Sequence, residues 1–282
     1  MRRVTIAVSA ALACAAATGC GGDDGPDRKA IQDGVRTTIE RGPLRVSFRG
    51  TVRVGDGRTL TFRGGGHDHP AKRSFELTTA SGDFAQAVPG TSAPDFDTKI
   101  VKLGAVYHVS SPRIGKRGQW LRLDISEFTE GDAAAARVLA QSHQSTSAQI
   151  LDYAAAAETD EEVGQERVGG VETTRYRGTV HIAEVARHVP AAERAAVADN
   201  AATLRTATGK ATMPIEVWLD RDGLMRRGRL SYTLVRGPVS GGAFRATLTL
   251  EGHFSEHGRP VDIRAPRGEM LTLDDLAKRA PE

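Results

Sequence analysis

From Leu44 the chain alternates: Leu44, Val46, Phe48, Val52 and Val54 are apolar, with Arg45, Ser47, Arg49, Thr51 and Arg53 between them. A period of two predicts a strand with one face on a core and the other in water. Just upstream the period is different. In DRKAIQDGVRTTIER, residues 27–41, Ile31, Val35 and Ile39 recur at every fourth position, which predicts a helix. Gly55-Asp56-Gly57 turns the chain, and Leu60 and Phe62 continue the alternation. Phe75 and Leu77 mark a third strand, residues 96–102 and 105–110 a hairpin around Gly104, and residues 120–123 a further strand.

Residues 131–159 change character. They are alanine-rich, carry Val138, Leu139, Ile150, Leu151 and Tyr153, and read as helix, with a break at Ser145-Thr146-Ser147. Residues 162–168 and 171–182 form a hairpin through Gly169-Gly170. A second Ala-rich helix is expected over 190–206, with Pro190 suited to its first turn. Three long strands follow, at 213–220, 224–235 and 243–254, the first two joined by Asp222-Gly223.

About eleven strands joined by local turns predict an α+β chain built on one large antiparallel sheet. A sheet of that size twists and tends to curl. The expected architecture is a half-barrel covered on its concave face by the Ala-rich helices. Its inner face takes Phe48, Phe62, Leu77, Ile100, Val217, Leu219, Leu230, Tyr232, Leu248 and Leu250. These are core positions and the candidate lining of a cavity. The alanines at 133–136 and 154–157 would face them, and small opposite large means either close backbone approach or unfilled volume. Alanine also simply favours helix, so a solid core is the other reading.

The first residues belong to a different physical world. Arg2 and Arg3 precede an uncharged run from Val4 to Thr18, a positive region and apolar stretch of signal-peptide length, too short to span a bilayer. Ala17-Thr18-Gly19-Cys20 resembles the lipobox of bacterial lipoproteins, in which the thiol is acylated and the bond before it cut. Ala11-Leu12-Ala13-Cys14 competes, but cutting there would leave an apolar remnant, whereas Gly21 to Pro26 is a flexible polar tether. The expected organisation is therefore signal 1–19, lipidated Cys20 and tether 20–27, and a single domain 28–282. Cys14 leaves with the signal and no cysteine follows Cys20, so disulfides and thiolate chemistry are excluded from the folded part.

Composition adds little. The chain has 38 Lys+Arg and 35 Asp+Glu; without Arg2 and Arg3 the balance is 36 to 35, which does not suggest a nucleic-acid binder. A hydrophobic share of 39% with only 5% aromatic residues implies an aliphatic core. His67-Asp68-His69 follows three glycines and reads as a solvated turn with no third metal ligand in view. Lys116 and Lys210 lack the first glycine of a phosphate loop, and no G-x-S-x-G or H-E-x-x-H occurs. Arg226, Arg227 and Arg229 either meet anionic headgroups or solvate an exposed face. Trp218 falls on polar parity between Glu216 and Asp220, where packing against an Arg stem is the expectation.

The lipobox, the early Arg/Val strands, VYHVSS with GQWLRLD, and VGQERVGGVETTRYRGTV together resemble the LppX/LprAFG family of actinobacterial lipoproteins. IEVWLDRDGLMRRGRLSYTL and the ending FSEHGRPVDIRAP extend the likeness over most of residues 20–267 in order. The resemblance implies a half-barrel over helices, also similar to the carrier LolA, with a hydrophobic cavity for acyl-chain lipids or glycolipids. It implies a membrane-anchored, extracytoplasmic carrier that could serve a membrane exporter, and no catalytic motif or cofactor. The competing expectation is an envelope interaction or sensor module with the same fold, a solid core and no lipid.

Overall fold

The structure is a computed structural model that describes residues 29–55, 57–80, 97–112, 114–124, 126, 147–236 and 243–278. Cys20, the signal, the tether and the alanines at 133–136 lie outside the described residues.

Twelve strands form one sheet: β1 (Leu44–Val54), β2 (Thr59–His69), β3 (Ser74–Ala80), β4 (Thr98–Leu103), β5 (Val106–Ser110), β6 (Gln119–Asp124), β7 (Ala157–Val168), β8 (Val171–His181), β9 (Thr212–Asp220), β10 (Met225–Arg236), β11 (Ala243–Ser255) and β12 (Glu269–Leu271). Their order across the sheet is β12-β6-β5-β4-β3-β2-β1-β11-β10-β9-β8-β7, so chain neighbours mostly pair and β1 joins two meanders through β11. Every pairing is antiparallel except β12 on β6. The eleven antiparallel strands follow from alternation; β12 has three residues, too few for a period to register.

Burial follows the parity of the sequence. Along β1 the even positions Leu44, Val46 and Phe48 are buried and Arg45, Ser47 and Arg49 are exposed. Helices α1 (Ala30–Arg41) and α2 (Ser147–Ala155), with α3 (Arg194–Thr208) at one side, cover that inner face, and a short α4 (Leu273–Ala277) packs beside β6. α1 buries Ile31, Val35 and Thr38 at helical spacing. Thr38 does two jobs: its hydroxyl donates to Gly34 O at 2.8 Å and accepts from Met225 N at 2.9 Å, fastening α1 to the start of β10. The β9–β10 turn is closed by Asp220, whose carboxylate accepts from the backbone N–H groups of Asp222 and Leu224, both at 2.9 Å.

Three expectations change. His67-Asp68-His69 is not a turn: β2 runs through it to His69, paired with β3. The glycines before it read as loop signals, yet they sit in the sheet because neighbours crowd them. A β-carbon on Gly66 would lie 1.9 Å from Glu76 O, and one on Gly64 would lie 2.3 Å from the Phe48 ring. The Ala-rich helix stops at Ala155 instead of 159, and β7 begins at Ala157, because Val180 of β8 is there to pair with it. Residues 182–188 wind as 3-10 helix ahead of α3, which sequence periodicity did not signal.

The glycine contacts predict opposite tolerances. Gly66→Ala meets backbone that cannot rotate away, and should cost about 3 kcal/mol or more in urea unfolding, or prevent folding. Gly252→Ala meets only the Ile150 Cδ1 methyl at 2.7 Å, which can turn aside, and should cost about 1 kcal/mol. Equal losses for the two would contradict this placement of the strands.

Candidate functional site

The sheet brings all ten candidate lining residues onto its concave face. Phe48, Leu77, Ile100, Val217, Leu219, Leu230 and Leu250 are buried in one core, while Phe62, Tyr232 and Leu248 are half-buried against it. Register explains the grouping. Leu230, Leu250, Gly50 and Phe62 lie side by side across four strands, and in a neighbouring row stand Gly228, Gly252, Phe48 and Gly64.

The second row has glycine where the sheet would normally present side chains. Ile150 of α2 fills that space: its atoms lie 2.4 Å and 2.7 Å from where β-carbons on Gly228 and Gly252 would stand. The Phe62 ring does the same over Gly50 at 1.8 Å, and Leu219 over Gly34 of α1 at 2.5 Å. The middle of the half-barrel thus has a backbone floor, occupied by side chains projected from the helix above or leaning in from the flank. Glycine inside a strand lowers its stability, and marks places where something else comes close.

Open volume lies to one side of this floor and is small. A cavity of about 20 Å³ is lined by Ile39, Asp68, Pro70, Arg73, Phe75, Lys102, Ala148, Leu151 and Asp152, room for about one water molecule. None of the ten candidates lines it. A shallow depression over Ala186, Arg187, Arg194, Ala195 and Ala198 opens to solvent on the helical side.

Beside the small cavity sits a buried cluster of charge that sequence reasoning did not assemble. Asp68, Phe75, Lys102 and Tyr107 occupy one row across β2 to β5, all on the inner face. Arg73, in a left-handed turn at φ 50°, reaches under the helices. Its guanidinium donates to Asp152 of α2 at 2.7 Å and to Glu193, just before α3, at 2.5 Å. Lys102 Nζ donates to Glu193 at 2.8 Å and lies 5.2 Å from the Tyr107 ring centre. Sheet cations therefore hold carboxylates on two helical segments, a tie between layers.

Burial pushes the Glu193 carboxyl up, but Arg73 and Lys102 outweigh it and hold the group down at about 2. Burial also raises Asp152, against the pull of Arg73. Lys102 is lowered, first by burial. Asp68 is the odd member. Its Oδ2 is buried without a hydrogen-bond partner, and desolvation raises its pKa to about 7. Two cations already face two carboxylates here, so a third stays protonated until neutral pH.

The other candidates fall on the outer face or its rim. Trp218 is 1% exposed, with the Arg227 guanidinium 3.6 Å and that of Arg175 5.2 Å from its ring centre, so it is an arginine-packed residue. Arg226 pairs with Asp220 at 2.6 Å, Arg227 with Glu166 at 2.5 Å and Arg229 with Glu216 at 3.9 Å. His257 Nδ1 accepts from the Arg226 guanidinium at 3.3 Å and its Nε2 donates to Met225 O at 3.0 Å, and burial lowers its pKa, which favours the neutral ring. Among the described residues no group of three His, Cys, Asp or Glu is placed to hold a metal ion.

No protein-family profile matches the chain. An uncharacterised 31.2 kDa protein in the rplA–rplJ intergenic region of Streptomyces griseus is 27% identical over 151 residues, 52% of this chain and 45% of that relative. The match thus spans less than half of that protein's length. Several solved structures align with the chain at low sequence identity. LprF from Mycobacterium bovis aligns with a TM-score of 0.44 at 14% identity, over 86% of this chain and 97% of that one. The Mycobacterium tuberculosis lipoprotein LppX aligns at 0.41 and 13%, over 83% and 98%. A LolA-superfamily protein from Nitrosomonas europaea aligns at 0.31 and 9%, over 84% and 96%.

The charge cluster gives a stability prediction with a definite sign. The Asp68 pKa is raised from 3.8 to about 7 on folding, so its contribution is complete below 3.8 and is lost as pH rises toward 7. Asp68→Asn should be nearly silent in acid and stabilising above neutral pH, by about 4 kcal/mol at most, a Tm gap of ~10 °C. Thermal unfolding of both chains from about pH 3.5 to about pH 8, which spans the shift, checks this; Tm curves that stay parallel would remove Asp68 from the buried cluster.

Proposed function

We propose that this chain is an extracytoplasmic lipoprotein, held at the cell membrane by an acylated Cys20, that takes up the acyl chains of a lipid or glycolipid beneath α2 and shuttles or presents that lipid. The observation that carries this reading is the glycine floor under Ile150. Each glycine inside a strand weakens the sheet by about 0.5–1 kcal/mol relative to alanine. A sheet selected only for packing would carry side chains at 228 and 252 and a smaller residue on the helix. Here the middle of the interior is filled from above, so lifting α2 would expose an apolar trough walled by Phe48, Leu230, Leu250 and Tyr232.

The exchange is thermodynamically gentle. An acyl chain leaving a bilayer loses about 0.8 kcal/mol per CH2 of burial and regains a similar amount in an apolar trough. Such a carrier needs no nucleotide. What it must supply is a way to open: α2 has to leave the sheet, and the Asp152–Arg73 pair that ties it down has to part. Among the described residues the cavity beside α2 holds about 20 Å³, too little for an acyl chain, so uptake on this reading requires α2 to move. That closed interior also favours a second reading, an envelope interaction or sensor module with the same fold and no lipid.

Organic extraction of the purified chain followed by mass spectrometry separates the two. Reproducible co-purified acyl lipids, displaced by a hydrophobic dye, are the expected result; a chain that stays empty and takes up no dye leaves only the interaction module. The anchor has its own test. Cys20→Ala should move the chain from the membrane fraction of expressing cells to the soluble fraction, and retention of the variant in membranes would refute acylation at Cys20.

A further inference from the structure

The convex face carries a charge ladder that breaks at one end. Reading across the register from β7, the residues in one row are Glu161, Arg177, Glu216, Arg229, Glu251, Arg49 and Arg63. The first six alternate in sign, and several make contact: Arg177 lies 3.4 Å from Glu161 and 3.8 Å from Glu216, and Arg229 lies 3.9 Å from Glu216. Such cross-strand pairs stabilise a sheet, whereas like charges directly opposite destabilise it. Arg49 and Arg63 are directly opposite.

Among the described residues nothing nearby relieves them. Glu251, across from Arg49, already bonds His253 at 3.1 Å; that contact, with Arg227 and Arg229, holds its carboxyl below the usual range. Further along the same face stand Arg53 and Arg245, diagonal neighbours on β1 and β11. All four guanidinium groups are exposed, and none has an ion-pair partner among the described residues. The side chains between them are Thr51, Thr61, Thr247 and Thr249, so the patch is flat, hydroxylated and cationic. The arginines for which a headgroup role was one of two readings, 226, 227 and 229, are by contrast paired within the sheet.

We propose that the Arg49, Arg53, Arg63 and Arg245 patch docks the convex face on an anionic lipid surface. A protein interface of useful affinity has an apolar, usually aromatic, core, and these rows have none. The nearest large exposed apolar side chain is Val235, 43% exposed, one residue beyond the Leu234–Ala246 pair at the rim. A layer of phosphate headgroups asks for no such core: it supplies negative charge across a plane and bidentate acceptors for guanidinium. The inference stands apart from Cys20 and from the interior, because it concerns the opposite face of the sheet.

Flotation of the full chain with two kinds of vesicle tests it. One set is phosphatidylcholine alone and the other has a third of that lipid replaced by phosphatidylglycerol. An acyl anchor or an apolar segment inserts in both, so the anionic-over-neutral ratio reads the patch alone, and failure of the anchor leaves that ratio intact. Each arginine at an anionic surface contributes about fivefold in partition at low salt. The quadruple variant R49Q/R53Q/R63Q/R245Q should therefore lower the ratio at least about tenfold, with partition into neutral vesicles unchanged. Salt at about 1 M, with a screening length of about 3 Å, should abolish the preference in the parent chain. Arg167→Gln, which removes an exposed cation paired to Glu172 on another part of the sheet, should leave it unchanged. A parent chain with no preference for anionic vesicles, a quadruple variant that keeps the preference, or an equal loss with Arg167→Gln would each overturn the proposal. So would an acidic protein bound through these arginines by a chain that ignores both vesicles. Unchanged circular dichroism of the variant confirms that folding is not what was lost.

Discussion

Ile150 occupies space that belongs, in most sheets, to the sheet itself. Its methyl groups stand where β-carbons of residues 228 and 252 would be, which is possible only because both are glycine. Much follows from that close approach. It lets α2 sit deep in the half-barrel with Ile150 fully buried, and it leaves the floor beneath, at residues 228 and 252, without side chains of its own.

The charged cluster at the end of the trough is the counterweight to this arrangement. Hydrophobic contact is non-directional and would let α2 and the segment before α3 slide over an aliphatic surface. Arg73 fixes both by direction, through one guanidinium shared between Asp152 and Glu193. Breaking such a buried tie is costly, because each partner is left uncompensated. Asp68 makes the cluster sensitive to pH without taking part in the tie, as a third carboxyl held neutral by desolvation. A displacement of α2 would therefore part the Asp152–Arg73 pair.

Two faces of one sheet divide the labour. The concave rows are mainly apolar side chains and glycine, packed against helices; the convex rows are arginine, glutamate and threonine, ordered by register into a ladder. Where that ladder keeps alternating it neutralises itself, and Trp218 can be buried under two arginines. Where alternation fails, between β1 and β2, charge is left facing outward. The contrast within one row separates charges that stabilise the sheet from charges available to something else.

The order of elements, the one-sided burial of the strands and the ten core positions were legible along the chain, because pleating has a period of two whatever the strand pairs with. Parity could even have found the buried charges: Asp68 and Lys102 share the inward phase of Phe62 and Ile100, and Asp152 interrupts an apolar helix. A polar residue on the inward phase gives no sign of its partner, however, and Arg73 and Glu193 stand 120 residues apart. The triple glycine before His67 read as a turn, since local propensity does not report that a neighbouring strand's carbonyl will press against Gly66. Alternation thus determined which way each side chain points, while only register decided which side chains meet. Register is a relation between distant segments, and it was tertiary packing that set glycine under Ile150, arginine beside arginine, and two helical carboxylates around one guanidinium.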